Sequence, residues 1–136
     1  LDARTNAMAK ILIVDDEEEF RFLLQRMLGI FGHEVMEVMD GDAAIACLRT
    51  FPAQVVIVDL FMPGKEGIET IIELRRRHPD LKVIAISGGV PNSGTTFLTL
   101  AQKLGAHRTL NKPFSADELL AVLSHLVEPA PPLAPP

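Results

Sequence analysis

Two hydrophobic periodicities alternate along residues 10–127, and this alternation constrains the fold more than any other feature of the chain. Short β-branched runs open each unit: 11–14 (Ile-Leu-Ile-Val), 35–38 (Val-Met-Glu-Val), 55–58 (Val-Val-Ile-Val) and 83–86 (Val-Ile-Ala-Ile). A weaker fifth run is 107–110 (His-Arg-Thr-Leu). Four of the five are too apolar for strands with one wet face. A parallel sheet covered on both faces requires continuous apolar strands, because alternate residues have no solvent side to point into. Helical spacing follows each run. Phe20, Leu23, Leu24, Met27 and Leu28 fall on one helical face, with Gly29 or Gly32 placed to end the helix. Residues 42–50 form a shorter candidate that stops before Pro52, 66–78 is closed by Pro79, and 95–104 by Gly105. Ser115-Ala-Asp-Glu118 is a capping-box pattern opening a last helix with Leu119, Leu120, Leu123 and Leu126 inside. Strict strand–helix alternation predicts a doubly wound α/β sheet with right-handed crossovers.

A chain of 136 residues suffices for one such domain, with an aliphatic core, since it has seven Phe and neither Trp nor Tyr. Residues 8–127 are expected to form it. Residues 1–7 read as a tag remnant or loose leader, and the Pro-rich 128–136 as an extended tail or linker. A net charge of −5 argues against a sequence-independent nucleic-acid binder. Arg75, Arg76 and Arg77 read as a solvated helix end near its negative pole. Cys47 is the sole cysteine, which excludes an intrachain disulfide and fits a reducing compartment, the cytoplasm. No apolar run approaches the roughly 18 residues that span a bilayer, so no membrane partner is expected.

In an open α/β sheet, chemistry sits in the crevice at the carboxyl ends of the strands. Asp15 and Asp16 follow the first run, Asp59 the third, Ser87 the fourth, and Lys112 with Pro113 the fifth. Three carboxylates at one sheet edge repel one another, so either their pKa values rise or a cation joins them. An oxygen-rich acidic nest only part-filled by protein suits Mg²⁺, which keeps waters and phosphate oxygens in its shell. Alone, Asp16 or Glu17 reads equally well as a helix cap. Alone, Asp59 reads as a turn residue, and Ser87 and Lys112 say little. Together they offer a cation site, a nucleophile, and a hydroxyl and an ammonium able to hold an anion.

The set Asp15-Asp16, Asp59-Leu-Phe-Met-Pro-Gly64, Ser87 and Lys112-Pro113-Phe114 resembles the receiver domain of two-component response regulators. The resemblance covers nearly all of residues 10–127. It implies a flavodoxin-like sheet of order 2-1-3-4-5. It also implies that Asp16 and Asp59 ligate Mg²⁺, with Asp15 near the ion and the backbone carbonyl of Phe61 as a further ligand. Asp59 would be the phospho-acceptor, Ser87 would donate to one phosphoryl oxygen and Lys112 would pair with another, and Pro113 would follow a cis peptide. The donor would be a phosphohistidine on a sensor histidine kinase or phosphotransfer protein. The phosphorylated state would bias a pre-existing conformation that controls an output domain or downstream protein. His33, His78, His107 and His125 are in no phosphotransfer context and read as surface or part-buried side chains. These residues neither require nor exclude a weak homodimer.

Three departures from the family stand out. Thr109 occupies a position that is usually aromatic, so the coupling from Ser87 must run differently or weakly. The segment 88–94 after Ser87 is longer than usual and glycine-rich. Phe61 and Gly89 sit where the family controls hydrolytic water, and the bulky, apolar Phe61 implies slow loss of the phosphoryl group. Other classes fit less well. A haloacid-dehalogenase-type phosphatase would place Asp-x-Asp after the first strand and carry a cap. A flavin or nucleotide binder would need a Gly/Ser/Thr-rich loop where this chain has Asp-Asp-Glu-Glu-Glu. A degenerate receiver, acting only as a docking module, is the remaining alternative.

Overall fold

The computed structural model describes residues 8–60, 66–88 and 99–127. The expectations for 1–7, Phe61, Gly89, most of the 88–94 segment, the start of the fourth helix and 128–136 lie outside the described residues. In chain order the elements are β1 (Lys10–Val14), α1 (Glu18–Ile30), β2 (Glu34–Val38), α2 (Gly41–Cys47), β3 (Val55–Asp59), α3 (Glu66–Arg77) and β4 (Lys82–Ser87). Helical residues 99–104, here α4, follow, then β5 (Arg108–Asn111) and α5 (Ala116–Leu126). The five strands form one sheet of order β2-β1-β3-β4-β5, every pair parallel.

The pleat explains the continuous apolar runs. Ile11 and Ile13 of β1, Val55 and Ile57 of β3, and Ile84 and Ile86 of β4 point to one face. There they pack with Leu24 and Leu28 of α1 and Leu119 and Leu123 of α5. The intervening Leu12, Val14, Val56, Val58, Val83 and Ala85 point to the other face, against Ala44, Ile71, Leu74 and Ala101. Each large aliphatic side chain so buried stabilises the fold by about 1.5–3 kcal/mol. Two expectations need correction. Residues 35–38 are not buried on both faces: β2 is an edge strand whose Glu34, Met36 and Glu37 are exposed. Leu23 shares the apolar face of α1 by spacing, yet it is 57% exposed, because the sheet covers a narrower stripe than five residues.

Helix ends follow local chemistry. Gly29 lies inside α1, and it is Gly32, at φ +90°, that turns the chain toward β2. The solvated reading holds for Arg76 and Arg77, which pair with Glu73. Arg75 instead donates to the carbonyls of Pro79 and Leu81 and fastens the end of α3 to β4. Both sheet edges are pinned at their starts by histidine: Nδ1 of His33 accepts from the N–H of Ala9, and Nδ1 of His107 from that of Val83, each at 3.0 Å. Ser115 Oγ accepts from the N–H of Glu118 at 3.1 Å, and Glu118 reaches back to the N–H of Ser115 at 3.4 Å. Ser115→Ala is expected to cost about 1 kcal/mol, read as a lower urea midpoint at unchanged slope. An unchanged midpoint would show that α5 is held by packing alone.

Candidate functional site

The carboxyl ends of β1, β3, β4 and β5 converge on one edge of the sheet, and hydrogen bonds beyond the strands hold them level. The N–H of Leu60 donates to Ile86 O (2.8 Å), that of Lys112 to Ser87 O (2.6 Å), and that of Asp15 to Val38 O (3.2 Å). Asp15, Asp59 and Lys112 therefore face one small volume, and Ser87 ends the strand beside them. Carboxylate oxygens of Asp15, Asp16 and Asp59 all lie within 4.8 Å of one another, Asp15 and Asp59 buried and Asp16 exposed. Lys112 Nζ is 3.4 Å from Asp59 Oδ2 and 3.5 Å from Asp15 Oδ2.

Asp15 does two jobs with its two oxygens. Oδ1 accepts from the N–H of Glu17 at 2.8 Å and orients the entry to α1, whose N-cap, Glu17, makes no side-chain cap bond of its own. Oδ2 is buried and has no hydrogen bond from the described residues, with the Lys112 ammonium 3.5 Å away as its ion-pair partner. Burial, together with the Asp59 carboxylate beside it, pushes the Asp15 carboxyl up to about 6 against the pull of Glu17 N–H and Lys112. Arg21 donates from Nη1 to the backbone oxygen of Asp15 at 2.7 Å and pairs with Glu37, so α1, β1 and β2 are tied at this corner. The Ser87 hydroxyl is likewise buried and has no hydrogen-bond partner among the described residues. Three converging acids beside the Lys112 ammonium, and a buried Asp15 oxygen that no described residue hydrogen-bonds, fit a hard divalent cation. The orphaned Ser87 hydroxyl fits an arriving anion.

The structure brings together Asp15, Asp16, Asp59, Ser87 and Lys112. The Lys112–Pro113 peptide is cis, as the resemblance implied. Thr109 lies half-buried in the middle of β5, in register with Ala85 of β4. Sequence reasoning missed three residues that shape the site. Gly67 lets α3 approach the end of β3: a Cβ there would lie 2.6 Å from Asp59 O and 2.6 Å from Leu60 Cα. Gly88 leaves room for the Lys112 stem. The Phe20 ring centroid lies 3.8 Å from Lys112 Nζ. Phe20 carried only a helix-face signal, nothing local marked Gly67, and Gly88 stood out only as part of a glycine-rich segment. Among the described residues no helix is long and apolar enough to cross a membrane.

Comparison with known proteins agrees with this geometry. Residues 11–124 match the response regulator receiver domain family. The transcriptional regulatory protein CpxR of Klebsiella pneumoniae is 36% identical over 114 residues, covering 84% of this chain and 47% of its own length. The nitrogen assimilation regulatory protein NtrX of Azorhizobium caulinodans is 30% identical over 120 residues, 87% of this chain and 26% of its own. The chain thus spans between about a quarter and a half of these relatives. The crystal structure of the receiver domain of NtrX from Brucella abortus superposes with a TM-score of 0.77 at 32% identity, covering 85% of this chain and 96% of that one. With its acidic cluster, lysine and buried serine at the strand ends of a 2-1-3-4-5 parallel sheet, the chain belongs to the receiver domain family of two-component response regulators, whose family role is that of a phospho-acceptor switch.

Proposed function

We propose that Asp59 is the phospho-acceptor and that Asp15, Asp16 and Asp59 hold the Mg²⁺ that receiver domains generally bind at an acidic cluster. The observation that carries this reading is the position of Lys112: its ammonium lies within 3.5 Å of both buried carboxylates, Asp15 and Asp59. A carboxylate oxygen of Asp59 attacks the phosphorus of a phosphohistidine on a partner kinase or phosphotransfer protein. The P–N bond breaks, and the imidazole leaves with its electron pair. Such a transfer depends on positioning and charge neutralisation more than on covalent help from the protein. Lys112 pairs with an equatorial oxygen of the arriving group, and Ser87 donates its free hydroxyl proton to another. When bound, Mg²⁺ would offset the remaining charge on those oxygens. The product carries roughly two negative charges at Asp59, which draw Ser87 and Lys112 inward. With Thr109 on β5, this displacement is not reported by an aromatic ring at that position. The output is that of a larger regulator or a separate downstream protein.

The test is intact mass after incubation with acetyl phosphate or beryllofluoride, with and without Mg²⁺, on wild type and Asp59→Asn. The expected adduct requires both Mg²⁺ and Asp59. A folded wild type that takes no adduct would make the domain a docking module and overturn the acceptor assignment.

A further inference from the structure

The Lys112 side chain is held by more than its two carboxylates. Its stem lies against bare backbone: a Cβ on Gly88 would sit 2.9 Å from Lys112 Cδ and 3.2 Å from its Cβ. Its head lies over an aromatic face, with Nζ 3.8 Å from the Phe20 centroid. Phe20 sits in the first turn of α1 and is itself propped edge-on by Phe114, at 6.0 Å between centroids and 88° between planes. Phe114 lies two residues beyond Lys112, immediately before the N-cap of α5. Three segments distant in sequence thus build one bracket around a single ammonium.

The physical need is clear. A lysine has a long flexible stem and a strongly hydrated head, so an unheld Lys112 would spread into solvent. A third carboxylate, at position 20, would anchor it but would compete with the phosphoryl group for its charge. An aromatic face attracts the cation through its quadrupole and adds no charge. It therefore leaves the ammonium available to the anion it must meet.

We propose that Phe20 is a positioning residue for phosphoryl acceptance, holding the Lys112 ammonium over Asp59 by its ring face. The inference rests on the reading of Asp59 as acceptor. A purely structural Phe20, one more apolar contact between α1 and α5, would be replaced adequately by leucine. The contact with Lys112 would not.

The test compares wild type with Phe20→Leu and Phe20→Tyr, each first shown by urea unfolding to be folded at the assay temperature. The maximal rate of Mg²⁺-dependent adduct formation from acetyl phosphate should fall about three- to tenfold in Phe20→Leu and return in Phe20→Tyr. In NMR spectra the Lys112 Cε protons should be shifted upfield by the ring in wild type and Phe20→Tyr, and move downfield in Phe20→Leu. A wild-type rate in Phe20→Leu, or a Phe20→Tyr as slow as Phe20→Leu, overturns the proposal. Should the wild type take no phosphoryl group, the acceptor reading fails by itself. The Lys112 shifts need no phosphoryl group and still decide whether the ring holds the ammonium: unchanged shifts in Phe20→Leu overturn it.

Discussion

Gly67→Ala destabilises the domain by about 1–3 kcal/mol and slows adduct formation at Asp59, whereas Gly29→Ala leaves stability unchanged or raises it by up to about 1 kcal/mol. The two glycines both lie in helices, and helix propensity alone would make both substitutions favourable. What differs is the space around them. A Cβ on Gly67 would meet backbone atoms, Asp59 O and Leu60 Cα, both at 2.6 Å. Backbone in a hydrogen-bonded strand end cannot rotate aside as a side-chain tip can. Either α3 lifts from the sheet, losing the packing of Ile71 and Leu74, or the end of β3 moves and carries Asp59 away from Lys112. Around Gly29 a Cβ would meet nothing within 4 Å. Urea unfolding of both variants, with the adduct rate measured beside it, is the check. Equal stability changes in the two would show that the close approach of α3 to β3 is not what requires glycine.

The ends of β1, β3 and β4 were legible in the sequence because burial on both sheet faces leaves a run of aliphatics, and Asp15, Asp59 and Ser87 stand where those runs stop; Lys112 follows a weaker fifth run and is placed by the strand–helix alternation. Strand order alone therefore puts Asp15, Asp59, Ser87 and Lys112 at one sheet edge. The exposure of β2 was not legible, since Val-Met-Glu-Val reads as a buried run until its edge position is known. Leu23 misled for a related reason: spacing gives a direction around the helix, not the width of the surface that covers it. Gly67 and Phe20 were illegible as site residues because their roles depend on what approaches them in space. Nothing within a few residues of Phe20 indicates that an ammonium from β5 will lie over its ring.

The site also concentrates one sign of charge. Arg21 spends its donors on Asp15 O and Glu37, so it fixes the corner without neutralising the carboxylates inside. Lys112 stands between Asp15 and Asp59, while Asp16 lies at the exposed rim. A site built this way is more favourable to a cation than to itself. That excess acidity should be measurable without any phosphoryl chemistry.

Mg²⁺ is accordingly expected to raise the thermal midpoint by several degrees at pH 7.5 and by much less at pH 5, and Asp15→Asn is expected to stabilise the metal-free protein while abolishing most of that gain. The Asp15 carboxyl is raised from 3.8 to about 6 by burial and by Asp59. A shift of this size corresponds to roughly 3 kcal/mol between its protonation states. Because the folded state binds the proton more tightly than the unfolded chain, this group destabilises increasingly as pH rises from about 4 to about 6, and fully above that. His33 and His107 act in the opposite sense. Burial, with Arg75 and Lys82 near His107, lowers both, so their contribution is lost as pH falls below 6.5. The total slope of the wild type is therefore a difference of opposed terms, and the informative quantity is the gap between wild type and Asp15→Asn. In chelator-treated samples that gap should widen from pH 5 to pH 7.5, with Asp15→Asn the more stable, since an asparagine oxygen can still accept from the N–H of Glu17. In saturating Mg²⁺ at pH 7.5 the gap should narrow or reverse. A gap that is constant across this range would mean that Asp15 carries no raised pKa, and that the acidic cluster is relieved by something other than a cation.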